Sequence, residues 1–383
     1  MSTSSARSRA IRTSATLLNG PVELLDFLVP LWAGAVLGLG APAIGWLVAA
    51  ELVVSVLVRP LAGHLADTRP RSRVAAVGAF AFGLSCLIYA VADTPAIAFV
   101  AAVVGGAAGP LFWISLRAIA AEHLADDSGS FAGLMSAEAL GSWVFWGPAM
   151  VFLGAFGYSA VFIGLAVAAV AAGARLMLTP QEPLIVRAEV PGGMGGHARR
   201  LAPLMTLGGF ATAAEAGVGL ALLLQLQGAG LEVWQIALVY LPGGIALTIL
   251  PRLLHGVVQR WGRKPAYLAA SLATAVSTAA LALSPPVILV AALWIVVSAS
   301  LALLYPLQKT LVTEASGRRV ARGMSLQANA DTIGAAVGVV VVGAIVDDGR
   351  WIPAFLACAV IMLGGAALAP WVIDRTGQER REA

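Results

Sequence analysis

Glu23 and Asp26 stand one helical turn apart in a segment that is otherwise apolar, with Pro30 one turn further along. Two carboxyl groups on one face of such a helix suit proton or cation exchange. A low dielectric favours the neutral acid, and an approaching cation favours the carboxylate. Glu215 falls near the middle of a later apolar segment, and Glu51, Glu138 and Asp331 form a second acidic set. Arg117 and Lys309 are basic counterparts nearer the ends of their segments. An ionisable side chain in hydrocarbon costs about 2.5–3.5 kcal/mol even on insertion scales, so each of these residues needs a function. Pairing of Arg117 and Lys309 with the acids of the first and seventh segments, or snorkelling to the interface, are the two expectations for them. Trp113 and Trp143, with Trp32 and Trp146, are placed to stack on an aromatic or cationic ligand. Gln225, Gln308, Gln327 and Asn329 offer polar contacts or hydrogen bonds between helices.

The elements that hold these residues follow from composition. Hydrophobic residues make up 59% of 383 and charged residues 11%, against roughly 25% charged in soluble domains. A chain this apolar needs lipid around it, and its long unbroken apolar runs fit helices rather than alternating barrel strands. Runs of spanning length lie near 18–39, 42–62, 74–92, 96–119, 131–153, 158–178, 204–226, 234–254, 266–284, 287–310, 323–345 and 352–373. The expected class is an all-α membrane protein of twelve transmembrane helices in two pseudo-symmetric bundles of six. Residues 1–16 read as a disordered tail, 17–178 as the first bundle, 179–203 as a linker, 204–374 as the second bundle, and 375–383 as a tail. The linker is the only long polar interruption, with three prolines and a Gly-Gly-Met-Gly-Gly run.

Charge placement gives the orientation. With the N-terminus in the cytoplasm, of the 24 basic residues only Arg350 falls outside, as retention of positive loops inside requires. Both termini are then cytoplasmic, and short loops point to the inner membrane of a prokaryote. An internal repeat appears at half the chain length: Glu23 maps to Glu215, Arg71 to Arg263, Arg117 to Lys309 and Glu122 to Glu314. Repeats of this kind are typical of transporters that rock one half against the other around a central site.

Between spans 2 and 3 the chain reads Arg59-Pro-Leu-Ala-Gly63-His-Leu65-Ala-Asp67-Thr-Arg69-Pro-Arg71-Ser-Arg73. This resembles the signature loop of the major facilitator superfamily, G-x-L-a-D-r-x-G-r-r, with Pro70 in place of the usual glycine. A degenerate copy after span 8 keeps Gly262-Arg263-Lys264 but has Gln259 at the acidic position. The resemblance implies a conformational latch at Gly63, Asp67, Arg71 and Arg263, with glycine allowing close helix approach. It also implies that spans 1, 4, 7 and 10 line a central cavity and that the protein works as a monomer. The chain resembles the twelve-span drug:proton antiporter-like branch, although of that branch's glycine-rich span-5 motif only Gly147-Pro148 remains, with Trp143, Val151 and Phe152 at the other glycine positions.

The absences exclude other classes. There is no Walker lysine loop, so ATP is not the direct energy source. His64, His123, His197 and His255 fall in loops or at helix ends, and neither H-E-x-x-H nor C-x-x-C occurs. Cys86 and Cys358 sit in apolar runs and read as small buried hydrophobes. No metal, no cofactor, no nucleic-acid partner and no enzymatic activity are expected. The proton gradient is the expected energy source, and the expected partners are protons, lipid and a small-molecule substrate. Three readings stay open: proton-coupled efflux of an amphiphilic or cationic small molecule, uptake or uniport of a small metabolite, and a non-transporting receptor or lipid-handling scaffold.

Overall fold

The computed structural model describes residues 3–122, 130–179, 194–316, 320–346 and 350–382. Eleven helices cover them: α1 (Thr3–Ala35), α2 (Ala41–Thr68), α3 (Arg71–Val91), α4 (Pro95–Glu122), α5 (Ser130–Met177), α6 (Met194–Gly228), α7 (Val233–Trp261), α8 (Arg263–Leu281), α9 (Val287–Ser316), α10 (Val320–Ile345) and α11 (Trp351–Glu382). Helix α5 is two helical arms joined at Gly157, whose φ of 77° and ψ of −178° break the helix. Glycine tolerates that conformation because it has no Cβ. The two arms bring the number of helical segments to twelve, matching the twelve apolar runs.

Among the described residues, nine helices are long and apolar enough to cross a membrane on length and composition alone, with α5 taken as one. The two others are α1, interrupted by Asn19, Glu23 and Asp26, and α8, which starts with Arg263 and Lys264 and carries Ser271, Thr274, Ser277 and Thr278. These exceptions are informative, since polar residues in a spanning helix are placed for contacts rather than for lipid.

The chain divides into two compact units, Met1–Leu39 with Ala50–Glu189, and Gly40–Ala49 with Val190–Ala383. In the first unit α1 packs on α5, and α3 packs on both α4 and α5. Its core includes Trp32, Tyr89 and Phe162, with ring centroids 5.5–5.8 Å apart. In the second unit α6 packs on α10 and α11, and α7 and α8 pack on α9. The opening stretch of α2 groups with this unit because Gly45 lets its backbone rest against Val339 and Gly343 of α10.

Two boundaries differ from the sequence reading. Residues 3–16, expected to be a disordered tail, are the first turns of α1. Ala10, Ile11 and Ala15 are buried there, and the Ser14 hydroxyl donates to the Ala172 carbonyl at 3.2 Å. Apolar burial every three to four residues stabilises a helix that its Ser and Arg content obscured. Helix α6 begins at Met194, ahead of the expected end of the linker, and carries Pro203 within it. Residues 180–193 of that linker lie outside the described residues.

Candidate functional site

The first unit gathers its polar residues along one face of α1. Leu24, Leu25, Leu28, Leu31 and Trp32 are buried on the other face, which leaves Asn19, Glu23 and Asp26 on the helical spacing opposite. Gly20 and Gly141 bring the α1 and α5 backbones together; a Cβ at Gly20 would lie 2.5 Å from the Gly141 carbonyl oxygen. That approach delivers the Asn19 amide to α5. Its Nδ2 donates to Glu23 Oε1, to the Glu138 carbonyl and to Ser142 Oγ, each at 3.0 Å. Asn19 was not singled out by the sequence reading. The available signal was its position four residues before Glu23 in an apolar helix, where i,i+4 side chains meet.

Arg117 finds partners within the first unit. Its guanidinium lies 3.9 Å from Glu138 Oε1 and stacks over Trp113 at 5.6 Å from the ring centroid. Glu138 therefore joins α5 to α1 and α4 within the first unit. Trp113 itself meets Phe112 edge to face at 4.9 Å. Trp143, 44% exposed, keeps an open ring face. Trp32 does not: it is 2% exposed in the aromatic core, because the apolar face of α1 carries it inward.

Glu51 completes the acidic set. Its backbone lies directly against Gly106 of α4, where a Cβ would collide with the Glu51 carbonyl. Its Oε1 falls 3.3 Å from the place a Cβ on Gly105 would occupy, and Ser85 Oγ falls 2.9 Å from the same point. The charge of Asp26 acts on Glu51, and that of Glu23 acts on Asp26. Glu23, Asp26 and Glu51 thus form one electrostatically linked group across α1 and α2.

In the second unit Glu215 on α6 interacts electrostatically with Asp331 on α10. Asp331 Oδ1 would be 2.7 Å from a Cβ on Gly208, and Gln308 Oε1 4.0 Å from it. Gln308 Nε2 donates to the Tyr267 hydroxyl at 3.0 Å. Lys309 is exposed on the neighbouring position of α9. Glu23 and Glu215 are repeat partners, and each sits near an acid of the fifth helix of its own half.

The signature-loop residues make contacts within their own units. Arg71 Nε donates to the Ala66 carbonyl at 2.9 Å and Nη1 to the Ala118 carbonyl at 3.5 Å, and Asp67 lies 3.7 Å away. Arg263 makes a two-pronged pair with Glu314 at 2.6 and 2.8 Å. Those hydrogen bonds raise the Arg263 pKa above its ordinary value. Lys264 pairs with Asp374 of α11. The repeat had matched Arg71 with Arg263 and Glu122 with Glu314; in the second unit that match is a physical pair. Gly63 departs from its expected role, since a Cβ there would meet nothing within 4 Å. The close approaches of this fold fall instead at other helical glycines, such as Gly106 and Gly141, whose Cβ positions meet a neighbouring helix.

The family model of the Major Facilitator Superfamily matches residues 15–258 and 252–383. The chain belongs to the major facilitator superfamily. It is accordingly a multi-pass membrane transporter. A solved point mutant of the nucleoside transporter NupG superposes with a TM-score of 0.80 at 15% identity, covering 95% of this chain and 99% of that one. The unmutated nucleoside transporter NupG gives 0.77 at 15% identity, with 97% and 99% covered. At that identity the likeness concerns the fold. No curated protein matches the chain.

Proposed function

We propose that this transporter of the major facilitator superfamily is a proton-coupled antiporter that exports a cationic or amphiphilic small molecule by alternating access. The observation that supports the reading is the linked acidic group Glu23, Asp26 and Glu51. In the same unit Arg117 is engaged with Glu138 and Trp113. A net negative site competes for protons and cations, so binding of one releases the other. Trp113 and Trp143 offer ring faces for a cationic or aromatic group. The proposed setting is the inner membrane, with both termini in the cytoplasm and the protein acting as a monomer.

A second reading, uptake of a small neutral metabolite, draws on the nucleoside transporter folds and on the Asn19, Ser142 and Glu138 hydrogen-bonding set, which suits hydroxyl-bearing ligands. Reconstituted vesicles separate the two. Under the antiport reading, adding substrate releases protons from preloaded vesicles, and Asp26→Asn or Glu51→Gln abolishes the release in folded protein. Proton movement in the same direction as substrate favours uptake. Substrate flux without any proton movement overturns proton coupling altogether.

A further inference from the structure

Tyr89 sits in the aromatic core of the first unit and is 1% exposed. Its ring lies 5.5 Å from that of Trp32 on α1 and 5.8 Å from that of Phe162 on α5. Those contacts hold the ring, yet the hydroxyl is buried with no hydrogen-bond partner. Buried polar groups are normally paired, and one that is not needs a reason. The surroundings one turn earlier on α3 supply it. Ser85 Oγ lies 2.9 Å and Glu51 Oε1 3.3 Å from the place a Cβ on Gly105 would occupy, so both border one small space beside α4. Ser85 and Tyr89 are four residues apart and share a face of α3. A long helical side chain leans back over the turn before it, which brings Tyr89 toward the level of Ser85 and Glu51. Ser85 is committed elsewhere, since its hydroxyl donates to the Ala101 carbonyl at 2.8 Å. The groups that act electrostatically on Tyr89 are Glu51, Cys86 and Asp26. None of the three is basic, which leaves the Tyr89 O–H as a donor placed to meet a negative charge.

We propose that Tyr89 is a positioning residue for the acidic group: when Glu51 gives up its proton, its carboxylate turns to accept a hydrogen bond from the Tyr89 hydroxyl. The proposal rests on the proton-antiport reading and adds one residue to it. The Glu51 proton leaves to water as the cation approaches, Tyr89 keeps its own proton, and the bond formed is a hydrogen bond only. A donor held by Trp32 and Phe162 needs no reordering when the charge appears, and such fixed donors stabilise developing charge best. Asp26 acts on both Glu51 and Tyr89, and Glu23 acts on Asp26. The charge met by this one donor is therefore shared by the whole group.

The test is pH-difference infrared spectroscopy on the purified full-length protein, which needs no substrate. Raising the pH removes the C=O band of protonated carboxyls. A tyrosine that begins to donate to a carboxylate shifts its C–O band in the same step. The expected result is a tyrosine shift that tracks the carboxyl loss in the wild type and disappears in Tyr89→Phe and in Glu51→Gln. Tyr158→Phe is the control and should keep the shift. Its hydroxyl is also unpaired, with the ring centroid 6.3 Å from that of Phe162, but burial alone acts on it. Tyr89→Phe removes no bond present in this structure, so its Tm should not fall below that of the wild type. In vesicles challenged with tetraphenylphosphonium as the cation, its proton release should fall about tenfold, as expected for loss of a hydrogen bond to a charged group. Carboxyl loss without any tyrosine shift overturns the proposal, and so does a shift that survives in Tyr89→Phe or in Glu51→Gln. A folded Tyr89→Phe that releases protons at the wild-type rate overturns it as well. If Tyr89→Phe does not fold, Glu51→Gln decides by the same shift. A wild type that shows the infrared shift but no proton release counts against the antiport reading alone.

Discussion

Replacing Asn19 by Ala should weaken the crossing of α1 and α5 and disturb Glu23 at the same time. Two amide hydrogens serve three acceptors at 3.0 Å, so about two hydrogen bonds are lost. The bond to Glu23 is an exposed i,i+4 contact on one helix, a kind that contributes about 0.2–0.5 kcal/mol. The bond to α5 joins two helices, and such bonds in membranes average about 0.6 kcal/mol. The sum is about 1 kcal/mol, which should lower Tm by about 2–4 °C for a unit of this size. If the antiport reading holds, Glu23 also loses the donor that orients it, and proton release per folded molecule should fall about fivefold for the same 1 kcal/mol. Tm from thermal unfolding and proton release in vesicles are measured on Asn19→Ala, Glu23→Gln and the double variant. The two substitutions should be non-additive in flux, because they act on one contact. A lowered Tm with unchanged flux would reduce Asn19 to a helix tie. Additive losses would refute its action through Glu23.

Arg263→Gln and Glu314→Gln should show a coupling of about 1 kcal/mol in a double-mutant cycle, since the pair is two-pronged but partly exposed. Added salt should weaken that coupling, and purely additive effects would show that the pair contributes nothing. The raised pKa of Arg263 means its charge persists below the ordinary arginine value and beyond it, so the contribution should hold through neutral and alkaline pH. Gly106→Ala places a methyl group against the Glu51 backbone and should cost about 1–3 kcal/mol; an unchanged Tm would contradict the close approach of α2 and α4. Trp32→Ala, emptying the aromatic core, should cost about 3–5 kcal/mol. Trp143→Ala should stay within about 0.5 kcal/mol in stability while reducing substrate affinity. Equal losses of stability in the two would contradict their assignment to core and surface.

The glycines show where sequence reading and structure diverge. Gly63 stands in a recognisable loop motif and was expected to permit close approach, yet its Cβ position is open. Gly106, Gly141 and Gly208 carry no motif, yet they bring Glu51, Asn19 and Asp331 to their neighbours. The role of a glycine depends on what lies across from it, and one strand of sequence contains no record of the facing helix. Arg117 makes the same point. Its partner Glu138 lies on another helix, and the choice among several acids was decided by the way α4 and α5 pack.

Composition, the spacing of apolar runs and the placement of basic residues determined the class of protein, its twelve helical segments and the repeat of its two halves. These are properties of solvation and covalent order: a helix of about 20 apolar residues needs lipid whatever surrounds it, and basic loops stay inside. The acids Glu23, Asp26, Glu51, Glu215, Glu138 and Asp331 were visible for the same reason, since each is costly in an apolar run. Tertiary structure alone decided which of them meet. It placed Asn19 between Glu23 and Glu138, joined Arg263 to Glu314, buried Trp32, and left Gln308 and Gln327 with oxygens facing no donor. Such contacts depend on helix rotation and on approaches of a few ångströms between residues far apart in the chain, and both are set by packing of whole faces rather than by local sequence.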